Sequence, residues 1–193
     1  MTTLPEHLNR VFIVLGSNID KEENLPRAVR ILSKMCRVAA ISPVYETVPV
    51  GLLDQPNFFN AAVLVHTPMS PIQFKEEVLS KIERRLQRQR TTDENAPRTI
   101  DADIVLFNDQ VFDYSRPGGR RRHVPDPDLL KFAHVAVPMA DLAPDMPHPE
   151  TGESLAAIAG RLMVAATQNN GPPLWPRPDI LLPPAGDTSS YKT

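Results

Sequence analysis

Apolar positions along this chain switch between two spacings, and the order of the switches predicts a fold. Val11 to Leu15 is a short continuous apolar run, suited to a buried strand, and Gly16-Ser17-Asn18 ends it. Leu25, Ala28, Val29, Leu32 and Met35 then recur at helical spacing. Pro26 is tolerated only in a first turn, so this helix is predicted to begin near Glu23 or Asn24. Residues 38–45 and 58–66 read as strands, separated by a loop over 47–56 that carries prolines at both ends. Ser70 and Pro71 form a helix start, one as the cap and the other at the first position. Phe74, Val78, Ile82 and Leu86 follow at every fourth position. Residues 98–107 close the series as a strand. Side chains alternate along a strand, so Ile100, Ala102, Ile104 and Leu106 are predicted to share an apolar face, with Asp101 and Asp103 on the other. The order strand, helix, strand, strand, helix, strand predicts an α+β, ferredoxin-like sandwich. Its sheet is mostly antiparallel, with two main helices on one face. The other face, and the loops at one end of it, are left for ligands.

Composition narrows this picture. With 193 residues, 41% hydrophobic and 23% charged, the chain suits one ordinary globular domain. A net charge of −2 argues against a general polyanion binder. The run Arg120-Arg121-Arg122-His123 is a local exception without interleaved aromatics, so it reads as a solvated loop and no nucleic-acid partner is expected. Lys81, Arg84, Arg85, Arg88 and Arg90 crowd the end of the second helix, where they complement its dipole and bring guanidiniums toward the next strand. The single cysteine, Cys36, rules out an internal disulfide and reads as a buried small hydrophobe. Residues 1–10 lack an apolar signal region and no run reaches membrane-spanning length, so a cytoplasmic protein with no membrane partner is expected. Proline is abundant, with 21 residues, six of them after Gly171. We therefore divide the chain into a domain over 1–164 and a Pro-rich tail over 165–193, extended or disordered, whose Trp175 docks on the domain or on a partner.

Candidate chemistry concentrates on the last predicted strand. Two carboxylates side by side, Asp101 and Asp103, repel each other, and a hard divalent cation removes the conflict. Mg²⁺ is typically held by one or two carboxylates plus substrate phosphates. Arg98, just upstream, is the right residue type for phosphate oxygens. The structural alternative is a solvated strand end. Asn60, in a strand otherwise made of Ala61, Ala62, Val63 and Leu64, is costly to bury without a partner, which favours a ligand or a loop contact.

Three blocks carry a family resemblance: Gly16-Ser17-Asn18, Asp54 to Ala62 (DQPNFFNAA), and Pro97-Arg98-Thr99-Ile100-Asp101-Ala102-Asp103. In order and spacing they resemble the signature blocks of the 6-hydroxymethyl-7,8-dihydropterin pyrophosphokinases of folate biosynthesis. The resemblance covers about residues 11–160. It implies transfer of a pyrophosphoryl group from ATP to the hydroxymethyl oxygen of the pterin, with release of AMP. It also implies two Mg²⁺ bridged by Asp101 and Asp103, with Asp103 accepting a hydrogen bond from the pterin hydroxyl. Arg88 and Arg98 match arginines that contact the ATP phosphates. Glu83 matches a position near the nucleotide, Ile104 one that meets adenine through its backbone, and Arg121 and His123 fall in the ATP-side segment. Thr47, Val48 and Val50 match the loop whose backbone reads the pterin edge. Asn60 matches the amide that pairs with the ring, and Phe58 one stacking wall. His134 stands where the family usually has Phe as the other wall. The implied partners are these two small molecules, acting on a monomer.

The chain departs from the family pattern on the ATP side. A Gly-Arg pair reads Gln87-Arg88, an Arg-Trp-Gly stretch reads Glu94-Asn95-Ala96, and Pro-His-Pro reads Pro125-Asp126-Pro127. An arginine a few residues later is replaced by Phe132. Two other functions therefore stand beside the enzyme: a pterin-binding paralogue with weak or no turnover, and a ferredoxin-like RNA-binding or regulatory module. The latter needs exposed aromatics on the sheet, where this chain presents Asp101 and Asp103.

Overall fold

The computed structural model describes residues 8–89, 93, 95–115, 120–168 and 174–186. Arg90 and Glu94, singled out above, lie outside these. The first strand, β1 (Asn9–Ser17), pairs antiparallel with β4 (Phe58–Thr67) on one side and with β5 (Asp101–Phe107) on the other. The predicted strand over 38–45 is two strands, β2 (Arg37–Ile41) and β3 (Tyr45–Thr47), both antiparallel to β4. Pro43 lies between them, and Ser42 Oγ takes the N–H of Ala62 at 2.9 Å in place of a ladder bond. The sheet order β5-β1-β4 followed by β2 and β3 is that of a ferredoxin-like sandwich.

Helix α1 (Lys21–Ser33) starts earlier than the proline rule predicts. Pro26 sits inside it with its ring buried against the core, where packing offsets the lost hydrogen bond. Helix α2 is composite: Pro71–Gln73 is α-helical, Phe74–Leu79 is a π-helix, and Ser80–Arg85 is α-helical again. Four residues advance about 400° on an α-helix, so a strict four-residue repeat drifts by about 40° each step. The wider π turn absorbs that drift. Phe74, Val78 and Ile82 stay in the core, and Lys75 is turned inward beside them.

Helices α1 and α2 cover one face of the sheet, packing on Val11, Ile13, Leu15, Ala61, Val63 and Ala102. The prediction that the other face is free needs correcting. Helices α3 (Ala133–Leu142) and α4 (Leu155–Gln168) pack there, with Val135, Met139, Leu155 and Ile158 against Phe12, Ala62 and Leu106. Each such fully buried side chain is worth about 1.5–3 kcal/mol, which is why an apolar second face does not stay bare. Leu106 itself is on this second face. The register against β1 shifts between Phe12 and Ile13, leaving Val105 as an extra residue that reverses the alternation after Ile104.

Beyond β5, a hairpin of β6 (Phe112–Tyr114) and β7 (Arg122–Val124) leads through a 3₁₀ turn (Pro127–Leu130) into α3. The tail boundary at 165 is also corrected, because α4 continues to Gln168 through good helix formers. Past it, β8 (Leu174–Pro176) adds an antiparallel strand to the outer edge of β3. Among the described residues no helix is long and apolar enough to cross a membrane.

Candidate active site

One end of the sheet opens into a cavity of about 530 Å³ where the three sequence blocks meet. The Gly16-Ser17-Asn18 block holds the other two together. Ser17 Oγ donates to Thr99 O at 2.6 Å. Asn18 Nδ2 donates to Gln55 Oε1 at 2.8 Å and Pro56 O at 3.1 Å, while its Oδ1 accepts from Arg98 N at 2.7 Å. Gly16 faces Asn60 across the β1–β4 ladder, and a Cβ there would sit 3.2 Å from Asn60 Oδ1. The missing side chain gives that amide its room.

Asn60 is buried, donates from Nδ2 to Thr47 Oγ1 at 2.9 Å, and lines the cavity with Thr47, Val48, Val50 and Phe58. The Arg98 guanidinium lies 5.8 Å from the centre of the Phe58 ring. His134 lines the same cavity and stacks on Phe132, with ring centres 5.2 Å apart and planes 22° apart. Burial pushes the His134 imidazole down to about 4, so it is neutral at pH 7 and suits an aromatic wall.

Asp101 and Asp103 line the wall beside this group. Arg88 and Arg98 clasp Asp101 from two sides: Arg88 Nη1 bonds Oδ1, and Arg98 Nη1 lies 2.5 Å from Oδ2. Arg88 reaches that position through the end of α2. Gln87 N donates to Arg84 O at 3.1 Å and Arg88 N to Glu83 O at 2.9 Å, with Gln87 at φ 55°. This is a Schellman ending, whose left-handed residue is usually glycine. It fixes where Arg88 leaves the helix.

Behind Asp103 lies a residue that sequence reasoning missed. Lys75, 3% exposed, places Nζ 3.0 Å from Asp103 Oδ1, 2.5 Å from Ala102 O and 3.5 Å from Glu83 Oε1. Arg122 Nη2 is 3.8 Å from the same Asp103 oxygen. Burial alone would raise the Asp103 carboxyl, but Lys75 and Arg122 outweigh it and hold the group well below the usual carboxylate range. Asp126 behaves oppositely. Burial pushes its carboxyl up to about 6 while it caps the 3₁₀ turn by accepting from Asp128 N at 2.9 Å.

Ten of the sequence-predicted residues thus line one cavity: Thr47, Val48, Val50, Phe58, Asn60, Arg88, Arg98, Asp101, Asp103 and His134. Four do not. Glu83 is buried beneath Arg88, 3.4 Å from its Nη1. Ile104 has its side chain in the core between sheet and helices. Arg121 pairs with Asp113 at 2.6 Å, and His123 bridges Asp113 at 3.0 Å and Glu150 at 3.1 Å. Within β7 alternation is the reason: Arg122 lines the cavity and its neighbour His123 points away, while Arg121 precedes the strand and is held by Asp113.

A profile of the 7,8-dihydro-6-hydroxymethylpterin-pyrophosphokinase (HPPK) family matches residues 12–144, more than half of the chain. The chain belongs to this family. Membership carries the reaction with it: ATP-dependent pyrophosphoryl transfer to hydroxymethyldihydropterin in folate biosynthesis. Among relatives, the chain is 35% identical over 147 residues to the 2-amino-4-hydroxy-6-hydroxymethyldihydropteridine pyrophosphokinase of Pseudomonas aeruginosa, covering 74% of this chain and 86% of that one. It is 36% identical over 154 residues to the folic acid synthesis protein fol1 of Schizosaccharomyces pombe, covering 78% of this chain but 20% of that protein. A crystal structure of wild-type Plasmodium falciparum HPPK-DHPS with pterin and p-hydroxybenzoate superposes with a TM-score of 0.67 at 12% identity. That match covers 87% of this chain and 44% of the other, and it shows the shared HPPK fold.

The donor set suits the magnesium that such a reaction uses. Among the described residues no third His, Cys, Asp or Glu joins Asp101 and Asp103 in a ligand cluster. Two carboxylates leave most of a coordination sphere to phosphate and water, which is the usual arrangement for Mg²⁺ and unlike a closed protein cage.

Proposed function

We propose that the cavity seats both substrates at once, with the pterin against Thr47, Val48, Val50, Phe58, Asn60 and His134, and the ATP triphosphate against Asp101, Asp103, Arg88, Arg98 and Arg122. One observation carries this reading: a buried amide and the rings of Phe58 and His134 line the same 530 Å³ space as two carboxylates held by guanidiniums. An Asn side chain offers both a donor and an acceptor, as a pterin edge requires. Arginine forks match phosphate oxygens.

On this reading Asp101 and Asp103 hold two Mg²⁺, which supply cancellation of charge on the triphosphate. Arg88 and Arg98, tied to Asp101 in the free protein, exchange that carboxylate for phosphate oxygens when nucleotide binds. Asp103 accepts the hydrogen bond of the pterin hydroxyl. The hydroxyl oxygen bonds the β-phosphorus as its proton passes by way of Asp103 to water, the bond from that phosphorus to the oxygen bridging it to the α-phosphate breaks, and AMP leaves with that oxygen. The chain's own contribution is positioning and electrostatic balance. Glu83 acts only through Lys75 and Arg88, Ile104 offers only backbone, and Arg121 and His123 are left out of the ATP site. The proposal is of a monomeric catalyst acting on these two small molecules.

Purified protein given ATP, Mg²⁺ and hydroxymethyldihydropterin is expected to release one AMP per pterin diphosphate formed. Pterin uptake without AMP release would overturn the placement of the triphosphate on this wall, where Asp126 adds a further carboxylate. Metal titration of the nucleotide-bound protein counts the ions.

A further inference from the structure

The family match ends at residue 144, yet the chain returns to the site well beyond it. Strand β3 has only three residues, and β4 covers one of its edges. A strand this short, paired on one side, is weakly fixed. Its other edge is taken by β8, with Leu174 opposite Thr47, Trp175 opposite Glu46 and Pro176 opposite Tyr45. Thr47 is the residue whose hydroxyl receives the Asn60 amide, and Val48 and Val50 continue from it along the cavity.

Arg177 fastens this strand in place. Its backbone N–H donates to Val44 O at 2.8 Å. Its guanidinium bonds Glu46 Oε2, donates to both Asp179 oxygens at 2.9 and 2.7 Å, and lies 4.7 Å from the centre of the Phe59 ring. Glu46 is also held by Lys21, at 2.7 Å, and Lys21 sits 4.2 Å from the same ring. Downstream, Ile180 and Leu182 pack on the main core. Pro176 is tolerated there because β8 is an edge strand, with one side that needs no ladder hydrogen bond.

We infer that residues 174–186 form a brace for the pterin-reading strand, with Arg177 as the positioning residue that locks it to Glu46. The inference rests on the pterin assignment made above. It means that the segment outside the family match tunes pterin affinity without touching the pterin.

The test uses the full-length protein and its Arg177→Ala and Arg177→Lys variants. Calorimetry measures 6-hydroxymethylpterin binding in the presence of a non-hydrolysable ATP analogue, and analogue binding alone. Hydrogen exchange is followed over residues 45–50. Arg177→Ala is expected to weaken pterin binding five- to tenfold, speed exchange over 45–50, and leave analogue affinity within twofold. Arg177→Lys, which keeps a cation for Glu46, is expected to recover most of the loss. Pterin affinity within twofold of wild type in Arg177→Ala overturns the inference. So does an equal loss of both ligands, which would signal general loosening. If the wild-type protein itself takes up no pterin, the site assignment fails, and unchanged exchange over 45–50 then overturns the brace separately.

Discussion

Replacing Lys75 with methionine probes how the two carboxylates are held. The side chain is 4% exposed, and its three N–H groups meet Asp103, Ala102 and Glu83. Methionine fills similar space without the charge, so no large cavity opens. Removing one partner of a buried ion pair costs about 3–5 kcal/mol, because the other charge is left uncompensated. Here each carboxylate keeps a second cation: Arg88 lies 3.4 Å from Glu83 and Arg122 3.8 Å from Asp103. The loss should therefore fall at the low end, about 3 kcal/mol. For a chain of this size that is a fall in Tm of roughly 6–12 °C.

Thermal unfolding followed by circular dichroism at pH 7 measures it directly. The double variant Lys75→Met/Glu83→Gln removes one stranded charge and should recover about 1 kcal/mol, since members of one network are not additive. The sign with pH follows from Asp103. Its carboxyl is depressed in the fold, so its stabilising contribution is present above the unfolded value near about 4 and is lost as pH falls further. The variant should lose less than wild type on that acid limb. A Tm within 2 °C of wild type, by this reasoning a loss below about 1 kcal/mol, would refute the buried network.

Asp101→Ala and Asp103→Ala should each abolish AMP release while circular dichroism stays native; wild-type turnover in either would remove the metal assignment. Asn60→Ala should weaken pterin binding by about 1–3 kcal/mol, read by calorimetry with an ATP analogue present, because ring donors and acceptors lose their partner. Asp126 titrates the other way from Asp103: raised to about 6, it favours the fold below about pH 4, and that contribution is lost as pH rises through 6. Asp126→Asn keeps the cap, so it should stabilise the protein by about 1–2 kcal/mol at pH 8 and flatten the stability profile between pH 4 and 6. Gln87→Gly relieves a left-handed residue at the end of α2 and should raise stability by about 0.5–1 kcal/mol in urea unfolding, with turnover unchanged.

The ferredoxin-like order was legible because each core strand and helix keeps a clean period over one face. What escaped are places where one residue changes the phase. Val105 is an extra residue in β5, so Leu106 turned to the face opposite the one its alternation predicts. The four-residue repeat of α2 already contained the π-helix, since an α-helix cannot keep Phe74, Val78 and Ile82 aligned without drift. Read as an ordinary helix, it gave no reason to place Lys75 inside. The parity of 122–123 depended on the register of β7 against β6, which short strands with few apolar residues do not declare. Helices α3 and α4 have a readable signal in Val135, Ala136 and Met139 and in Leu155, Ile158 and Ala159, apolar positions that need a sheet face to cover.

The candidate site was more legible than the fold around it, and the reason is physical. Asp101, Asp103, Arg98 and Asn60 are side chains whose chemistry is costly in a simple core, so their types point to use, whereas Phe58 is an ordinary core residue that only its sequence block singles out. Supporting residues carry no such mark. Lys75 is one surface-type residue in a helix full of them, and Arg177 is one arginine among prolines. Gly16-Ser17-Asn18 shows the same division within a single motif. Its side chains do not line the carboxylate wall; Asn18 instead splices the loop at Gln55 to the backbone of Arg98, and Gly16 leaves space for Asn60. The block is read easily because it sits at a strand end, yet what it does is hold two other blocks in contact. A pocket that gathers a buried amide and a charged wall at one sheet end needs that splice before either half can be placed.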